Sequence, residues 1–369
     1  MGNVNLEPVY QEQLLAVIPK FTGALGIPSS ILLMHEVYVA HRGGGGNTIL
    51  RTLAGIAFFL SLDALGWFLS TWAVPVDSGF AFAAGNVRTC EFQGFLLQAV
   101  IGAPLLTCAM SWYFYLIVAM GKSATELVGY EKIVTPLIIL YAFGSAFLLL
   151  GLDQYNHVGA VCWVQGSPPA CGNSAFSPAP DAPPCERGNW AWLYGMAMFY
   201  GLIWISIVLI FIFNVCIYWK LRTEANRREA RWFAVQSFLY GAAFCVTWAP
   251  STTWSGMNWT AEGGSFTVDV LSAFFEPLGG FWNLVIFVRD RPSSRARVLR
   301  IICCEFMETS TEECNKVDKY GATSSESNSP ANNNATNDNV ITEQSGAIDR
   351  QSSCYTGNDS EFERKELAI

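Results

Sequence analysis

The sequence predicts an all-α membrane protein: a seven-transmembrane helix bundle with its N-terminus outside, followed by a short amphipathic juxtamembrane helix and a disordered tail. Hydrophobic residues make up 51% of the 369 residues and charged residues only 14%, whereas soluble domains average roughly 25% charged residues. Seven apolar runs have the length of about 20 residues that a helix needs to cross a bilayer. The formal net charge of −8 lies entirely after residue 304, so the body of the protein is neutral and apolar.

The seven runs are numbered spans 1 to 7 in chain order and lie within residues 14–291. Residues 1–13 are expected to form an extracellular N-terminus and residues 292–307 an amphipathic juxtamembrane helix. Residues 308–369 contain too few apolar side chains to form a core and are expected to be a disordered cytoplasmic tail. The runs are Leu14–Met34, Leu50–Ala73, Phe92–Met120, Ile133–Gly151, Trp192–Trp219, Trp232–Trp254 and Phe266–Val288.

Basic residues lie almost entirely on one side of the predicted spans. Fourteen lysines and arginines fall on that side, and only Arg88 and Arg187 fall in loops of the other. Short loops rich in Lys and Arg stay in the cytoplasm, so we expect the N-terminus outside and the C-terminus inside, at the plasma membrane. A neutral body lacks the basic patch of a nucleic-acid binder. Five of the inner basic residues join spans 5 and 6: Lys220, Arg222, Arg227, Arg228 and Arg231.

The predicted outer loops carry candidate modification sites. The extracellular side is oxidising, so an even number of cysteines there indicates disulfides. Four cysteines allow three pairings, and the residues alone do not select one. Asn258, in an Asn-Trp-Thr sequon of an outer loop, predicts N-glycosylation. The four outer cysteines are Cys90, Cys162, Cys171 and Cys185.

The inner side carries candidate sites for lipid and for regulation. Residues 295–306 set four apolar side chains against three arginines, which favours a short helix on the anionic lipid surface. Cys303 and Cys304 near its end predict palmitoylation, with unmodified thiols as an equal alternative. Serines around Glu326 in the tail are candidates for phosphorylation and for docking of a kinase or an arrestin-like protein, with a solvated tether as the alternative.

Ionisable residues inside the spans are few, and each is a candidate functional residue because charge is costly in lipid. Asp63 of span 2 is expected to hold a cation or to form a hydrogen bond with Asn283 of span 7, with a protonated packing role as the alternative. Glu276 of span 7 and Lys20 of span 1 are expected to line an outward-facing ligand cavity and to pair. The alternative for that pair is a fixed structural ion pair.

Trp248 completes the candidate cavity. It lies two residues before Pro250 in span 6, and a proline bends a helix. A bulky ring at such a bend can pack in two ways, which makes Trp248 a candidate switch. Simple core packing at the kink is the alternative.

The sequence lacks residues that several classes of seven-span protein require. Span 7 contains no lysine for a retinal Schiff base, and the three histidines, His35, His41 and His157, lie at span ends or in loops. Neutral imidazole is the usual zinc ligand, so an intramembrane zinc site is not predicted. We therefore expect no cofactor, no metal and no enzymatic activity. A secondary transporter remains open because proline-broken spans are typical of that class.

Four short motifs, each on its expected span or loop, indicate a family. Cys90 begins Cys-Glu-Phe-Gln-Gly-Phe at the start of span 3, and Cys162-Trp163 lies in the second outer loop. Asp63 ends Ser-Leu-Asp in span 2, and the stretch 276–283 reads Glu-Pro-Leu-Gly-Gly-Phe-Trp-Asn. In this order they resemble the cyclic AMP receptor-like family of G protein-coupled receptors (slime-mould type, class E), with some similarity to secretin-type receptors. The resemblance covers roughly residues 14–291.

The resemblance implies a disulfide between Cys90 and Cys162, which leaves Cys171 and Cys185 as the second pair. It also implies that an extracellular ligand activates a heterotrimeric G protein at the inner face, through the basic residues between spans 5 and 6. The sequence departs from the family at Gly279, where the family usually has Gln. It offers no basic cluster for a cyclic nucleotide phosphate. The alternative function is a seven-span secondary transporter of a small solute.

Overall fold

The protein is described by a computed structural model over residues 6–42, 47–168, 171, 184–223, 228–259, 265–289 and 291–301. Within these residues, seven helical segments are long and apolar enough to cross a membrane, which confirms the predicted seven-helix bundle and a multi-pass membrane protein. We call the end that carries the predicted extracellular loops the outer end. The spans are Val9–Ala40, Thr48–Trp72, Val87–Val118, Thr125–Gly151, Ala191–Thr223, Arg231–Thr253 and Phe266–Arg289.

Spans 1, 4 and 6 are single helices: α1 (Leu6–Ala40), α5 (Ala124–Gly151) and α8 (Arg228–Trp259). Span 2 is α2 (Thr48–Leu69) followed by a 3-10 turn (Ser70–Trp72), and the other three spans are interrupted. Span 3 consists of α3 (Val87–Ala99) and α4 (Gly102–Val118). Span 5 consists of α6 (Ala191–Gly195), a π-helical turn (Met196–Tyr200) and α7 (Gly201–Thr223), and span 7 of α9 (Phe266–Phe275), a 3-10 turn (Glu276–Leu278) and α10 (Gly279–Arg289).

Local sequence explains where several helices begin and break. Asn86 caps α3 because its side chain accepts from the backbone of Thr89, whose hydroxyl accepts in return from the Asn86 N–H. Ser123 and Glu126 form the same reciprocal cap on α5, and each cap satisfies N–H groups that lack a partner within the helix. Pro277 has no N–H to donate, and the regular helix of span 7 is interrupted at this residue.

Span 3 is the central helix of the bundle. In its most apolar 18-residue window, 83% of the residues are buried, compared with 22% in span 4 and 28% in span 5. The exposed side chains of spans 4 and 5 include Leu140, Phe147 and Phe211. Such apolar outer faces suit contact with lipid, which is as apolar as these side chains.

Spans 1 and 7 approach each other closely through small residues. A Cβ at Gly26 would collide with the carbonyl oxygen of Pro277, and a Cβ at Gly280 would collide with the hydroxyl of Ser30. The Thr22 hydroxyl donates to the carbonyl oxygen of Ala273 at 3.0 Å. Small residues that let two backbones approach are typical of helix contacts in membranes, and this contact positions the residues of span 7.

The bundle ends at Pro292, and residues from Ser293 onward form a separate unit. Residues 292–301 are helical, within the segment predicted as the juxtamembrane helix. Inside that helix, the Arg297 guanidinium donates to the hydroxyl of Ser294 at 3.1 Å. The palmitoylation candidates Cys303 and Cys304 and the predicted tail lie outside the described residues.

Candidate functional site

A short β-hairpin covers the outer end of the bundle between spans 4 and 5. Strand β1 (Tyr155–Val158) pairs antiparallel with β2 (Val161–Val164). Cys162 of β2 forms a disulfide with Cys90 of α3, with Cα atoms 5.2 Å apart. Cys171 pairs with Cys185 at a Cα separation of 4.9 Å. Both disulfides agree with the pairing that the family resemblance implies.

Gln93 of α3 reinforces the attachment of the hairpin. Its side chain is fully buried. The Oε1 atom accepts from the backbone N–H of Cys162 at 2.8 Å, and Nε2 donates to the carbonyl oxygens of Gly66 at 2.9 Å and Ser70 at 3.1 Å. One amide therefore connects the hairpin, span 3 and the outer end of span 2.

Replacing Gln93 by leucine is expected to lower the stability of the purified protein, because the Cys162 N–H would stay buried without an acceptor. An unsatisfied buried polar group costs about 1–3 kcal/mol. The change is measured as a lower midpoint of thermal unfolding followed by tryptophan fluorescence. The control is Gln13→Leu, the same substitution at an exposed position of α1. Equal midpoints for the two variants would contradict the role given to Gln93.

A cavity of about 200 Å³ lies beneath the hairpin at the outer end. Spans 1, 2, 3, 5, 6 and 7 contribute to its wall, together with the hairpin residues Val158 to Val161 and Trp163. Most of the wall is apolar or aromatic, as in typical small-molecule sites. The aromatic residues of the wall are Trp67, Trp163, Phe199 and Tyr200, and the polar ones are Ser251, Asp269, Ser272 and Glu276.

Glu276 lies at the 3-10 turn of span 7, where it lines the cavity. Its side chain accepts a hydrogen bond from the hydroxyl of Ser251 in span 6. Asp63 of span 2 lies close enough for the two carboxyl groups to interact electrostatically. The indole nitrogen of Trp67 lies near both carboxyl groups without making a hydrogen bond to either. Spans 2, 6 and 7 thus bring polar groups together at the cavity wall and next to it.

Asp63 and Asn283 do not form the hydrogen bond that was predicted between them. The Asn283 amide instead donates to the carbonyl oxygen of Gly279, one turn earlier in its own helix, at 2.8 Å. Neither carboxyl oxygen of Asp63 has a hydrogen-bond partner within the part of the chain that the structure describes. Asp63 is 1% exposed, so its group is buried without hydrogen bonds.

Lys20 is not among the residues that line the cavity, and its predicted ion pair with Glu276 is absent between these two described residues. The Lys20 ammonium donates to the Ala16 carbonyl oxygen at 2.7 Å and to the Thr71 hydroxyl at 2.9 Å. It also lies 4.9 Å from the centre of the Trp72 ring, within cation–π range. Local groups of spans 1 and 2 therefore satisfy this charge.

Trp248 lies below the cavity wall instead of in it. Its side chain is 2% exposed. Phe199, which lines the cavity, packs edge-on against Trp248 with ring centres 5.7 Å apart, and Trp163 of the hairpin lies 5.1 Å from Phe199. A row of aromatic rings therefore connects the hairpin, the cavity and Trp248, two residues before Pro250 of span 6.

The basic residues between spans 5 and 6 are described in part. Lys220 and Arg222 lie in the last turn of α7, where Arg222 is exposed and its guanidinium stands 5.4 Å from the Tyr218 ring centre. Arg231 is exposed near the start of α8, whose first residue is Arg228. Arg227 lies outside the described residues. At the other end of α8, the backbone of the predicted glycosylation site Asn258 belongs to the final helical turn.

Three residues of these regions received no role in the sequence analysis. Gln93 follows Cys90 by three residues, about one helical turn, so both side chains face the hairpin. Asp269 precedes Glu276 by seven residues, about two turns, and both line the cavity. These spacings could have indicated both residues. Glu36 of α1 is also fully buried, although its neighbourhood in the sequence is that of a span end.

Comparisons with family models and with curated proteins identified no relative of this chain. No protein-family model matches the chain, and no curated protein is significantly similar to it. The resemblance to cyclic AMP receptor-like receptors therefore stays a prediction from motifs. What is established is a seven-span membrane protein with two disulfides and an outer cavity.

Proposed function

We propose that the protein is a plasma-membrane receptor that binds an extracellular ligand and activates a heterotrimeric G protein. The observation that carries the proposal is the aromatic row from the cavity to Trp248, two residues before Pro250 of span 6. Phe199 touches both the cavity and Trp248. A ligand that displaces Phe199 changes the packing of Trp248 and favours one of two arrangements of span 6.

The inner ends of spans 5 and 6 supply the other half of the proposed mechanism. Arg222 and Arg231 are exposed there, on either side of the short segment that joins the two spans. A basic surface attracts partners with acidic surfaces and orients their approach. A movement of span 6 at Pro250 would change the spacing of these two arginines, and the proposed G-protein site would open or close accordingly.

The test is nucleotide exchange on purified G proteins by the protein in proteoliposomes. We expect the wild type, in the presence of a small-molecule panel, to accelerate GTP-analogue uptake by at least one Gα class. The double variant Arg222→Glu/Arg231→Glu should lose this acceleration. The control Arg88→Glu reverses one exposed charge at the outer end and should retain it. Ligand binding should be the same in all three, because none of these arginines lines the cavity.

A secondary transporter is the competing function, and the unpartnered Asp63 is the observation that favours it. Buried carboxyl groups form proton relays in transporters. The same proteoliposomes distinguish the two functions. Uptake of a labelled solute that Asp63→Asn abolishes, with no acceleration of nucleotide exchange on any Gα class, would reject the receptor.

A further inference from the structure

We propose that the cavity recognises an organic cation: a protonated amine attached to an aromatic or apolar body, with the ammonium group against Glu276. This inference names the ligand class of the proposed receptor and in that sense rests on it. Its evidence is the charge and chemistry of the cavity wall. Direct binding can test it without any G protein.

The charged groups of the wall all have one sign. Asp269 and Glu276 both line the cavity, and none of the described residues that line it is a lysine, arginine or histidine. Two basic side chains of the outer end, Lys20 and Arg187, have other partners. Lys20 is bound to Ala16 and Thr71, and Arg187 forms ion pairs with Glu91 at 2.5 Å and Asp153 at 3.2 Å. An anionic ligand would therefore meet two acids of the wall, and no basic side chain among the described lining residues would offset their charge.

At the deep end of the cavity, no described basic side chain forms an ion pair with the two buried acids, Glu276 and Asp63. Glu276 is 6% exposed and Asp63, which interacts with it, is 1% exposed. An ionised carboxyl group in such a place is costly unless a cation is paired with it. Asp63 has no hydrogen-bond partner within the described residues. It is therefore a second buried acid beside Glu276 whose negative charge, when present, no described group neutralises. A ligand ammonium at Glu276 would supply the missing charge.

The aromatic wall suits the rest of such a ligand. Trp67, Trp163, Phe199 and Tyr200 surround the space above Glu276. Aromatic faces attract a cation within about 6 Å, and they also pack well against an apolar body. A lone inorganic cation would use the carboxyl groups and leave this wall without contacts, so the wall favours an organic cation.

The experiment compares three probes of nearly equal size and different charge. The protein, in nanodiscs of zwitterionic phosphatidylcholine, is titrated with phenethylammonium, 2-phenylethanol and phenylacetate. Binding is followed by ligand-observed NMR, with the signal from empty nanodiscs subtracted. We expect phenethylammonium to bind most tightly and phenylacetate least. Glu276→Gln should weaken phenethylammonium binding by about 10- to 100-fold, which corresponds to the loss of a hydrogen bond to a charged group.

Two controls make the result specific. Asp77→Asn removes an exposed acid at the outer end that does not line the cavity, and phenethylammonium binding should not change. If Glu276→Gln does not fold, Asp269→Asn replaces it, with an expected loss of affinity for the same probe. The titration is repeated in a buffer in which N-methylglucamine chloride replaces sodium chloride. Because this removes the inorganic cation, the comparison detects a site that binds only sodium.

Several outcomes would overturn the inference. They are equal binding of the three probes, preference for phenylacetate, no binding of any probe, unchanged affinity in folded Glu276→Gln, or binding of sodium alone. None of these outcomes depends on a G protein. Cation binding without nucleotide exchange would support the ligand class and count against the receptor, so the two proposals can fail separately.

Discussion

Replacing Cys90 by serine is expected to cause one of the two largest losses of stability in this protein. The disulfide with Cys162 joins residues 72 positions apart, and closing a loop of that length stabilises the folded state by about 4 kcal/mol in the chain-entropy model. Both cysteines are buried, together with Val74, so the serine would also place a hydroxyl in an apolar contact. We expect a lower thermal midpoint and strongly reduced surface expression.

Two matched variants separate this effect from the general loss of a cysteine. Cys216→Ser changes an exposed, free cysteine of span 5 and should leave the midpoint nearly unchanged. Cys171→Ser opens a disulfide with a sequence separation of only 14, for which the same model gives about 3 kcal/mol. The expected order of destabilisation is Cys90, Cys171, Cys216. If the Cys90→Ser and Cys216→Ser proteins had the same midpoint of thermal unfolding, the structural role of the Cys90–Cys162 disulfide would be disproved.

Gly26→Ala is expected to be the other strongly destabilising substitution, although it adds one methyl group. The new Cβ would meet the Pro277 carbonyl oxygen and would lie 2.9 Å from the Cβ of Ala64. Backbone cannot move aside as a flexible side chain does, so span 1 would have to separate from span 7. Overpacking typically costs 1–3 kcal/mol, and occasionally more. The measurement is the thermal midpoint in detergent, with binding of the aromatic amine probe as a second readout.

Gly144→Ala is the matched control for this prediction. Gly144 lies within α5, is exposed, and a Cβ there would meet nothing within 4 Å. Alanine favours a helix over glycine by roughly 0.5–1 kcal/mol in water, so this variant should be as stable as the wild type or slightly more stable. Equal midpoints for Gly26→Ala and Gly144→Ala would show that spans 1 and 7 are not packed as described.

The spans could be predicted because each depends on a local property, the length of an apolar run. Span 4 illustrates this: a continuous run from Ile133 predicts the same end, Gly151, that the helix has. The beginning differs, since the reciprocal cap of Ser123 and Glu126 starts the helix nine residues earlier. Caps lie in polar sequence, where apolar runs give no signal, and the predicted span 4 is therefore shorter than α5.

The sequence identifies which charged residues of the spans are unusual, but it does not predict which groups they contact. Asp63, Glu276 and Lys20 stand out because charge is rare in the spans, yet their contacts depend on how the helices rotate about their axes. Lys20 has partners on its own helix and on span 2, which a search for opposite charges overlooks. Gln93 is uncharged and its partners are backbone groups of two distant segments, span 2 and the hairpin, so no pattern of side chains identifies them.

The break in span 7 gives that helix a mechanical property. The segment α10 has 11 residues and is therefore about 16 Å long. A rotation of about 10° at the 3-10 turn would move the inner end of α10 by about 3 Å over that length. Span 1 contacts span 7 through Gly26 at this turn and through Ser30 at Gly280, just after it. A rotation here would displace Asp269 on one side of the contact and Arg289 on the other.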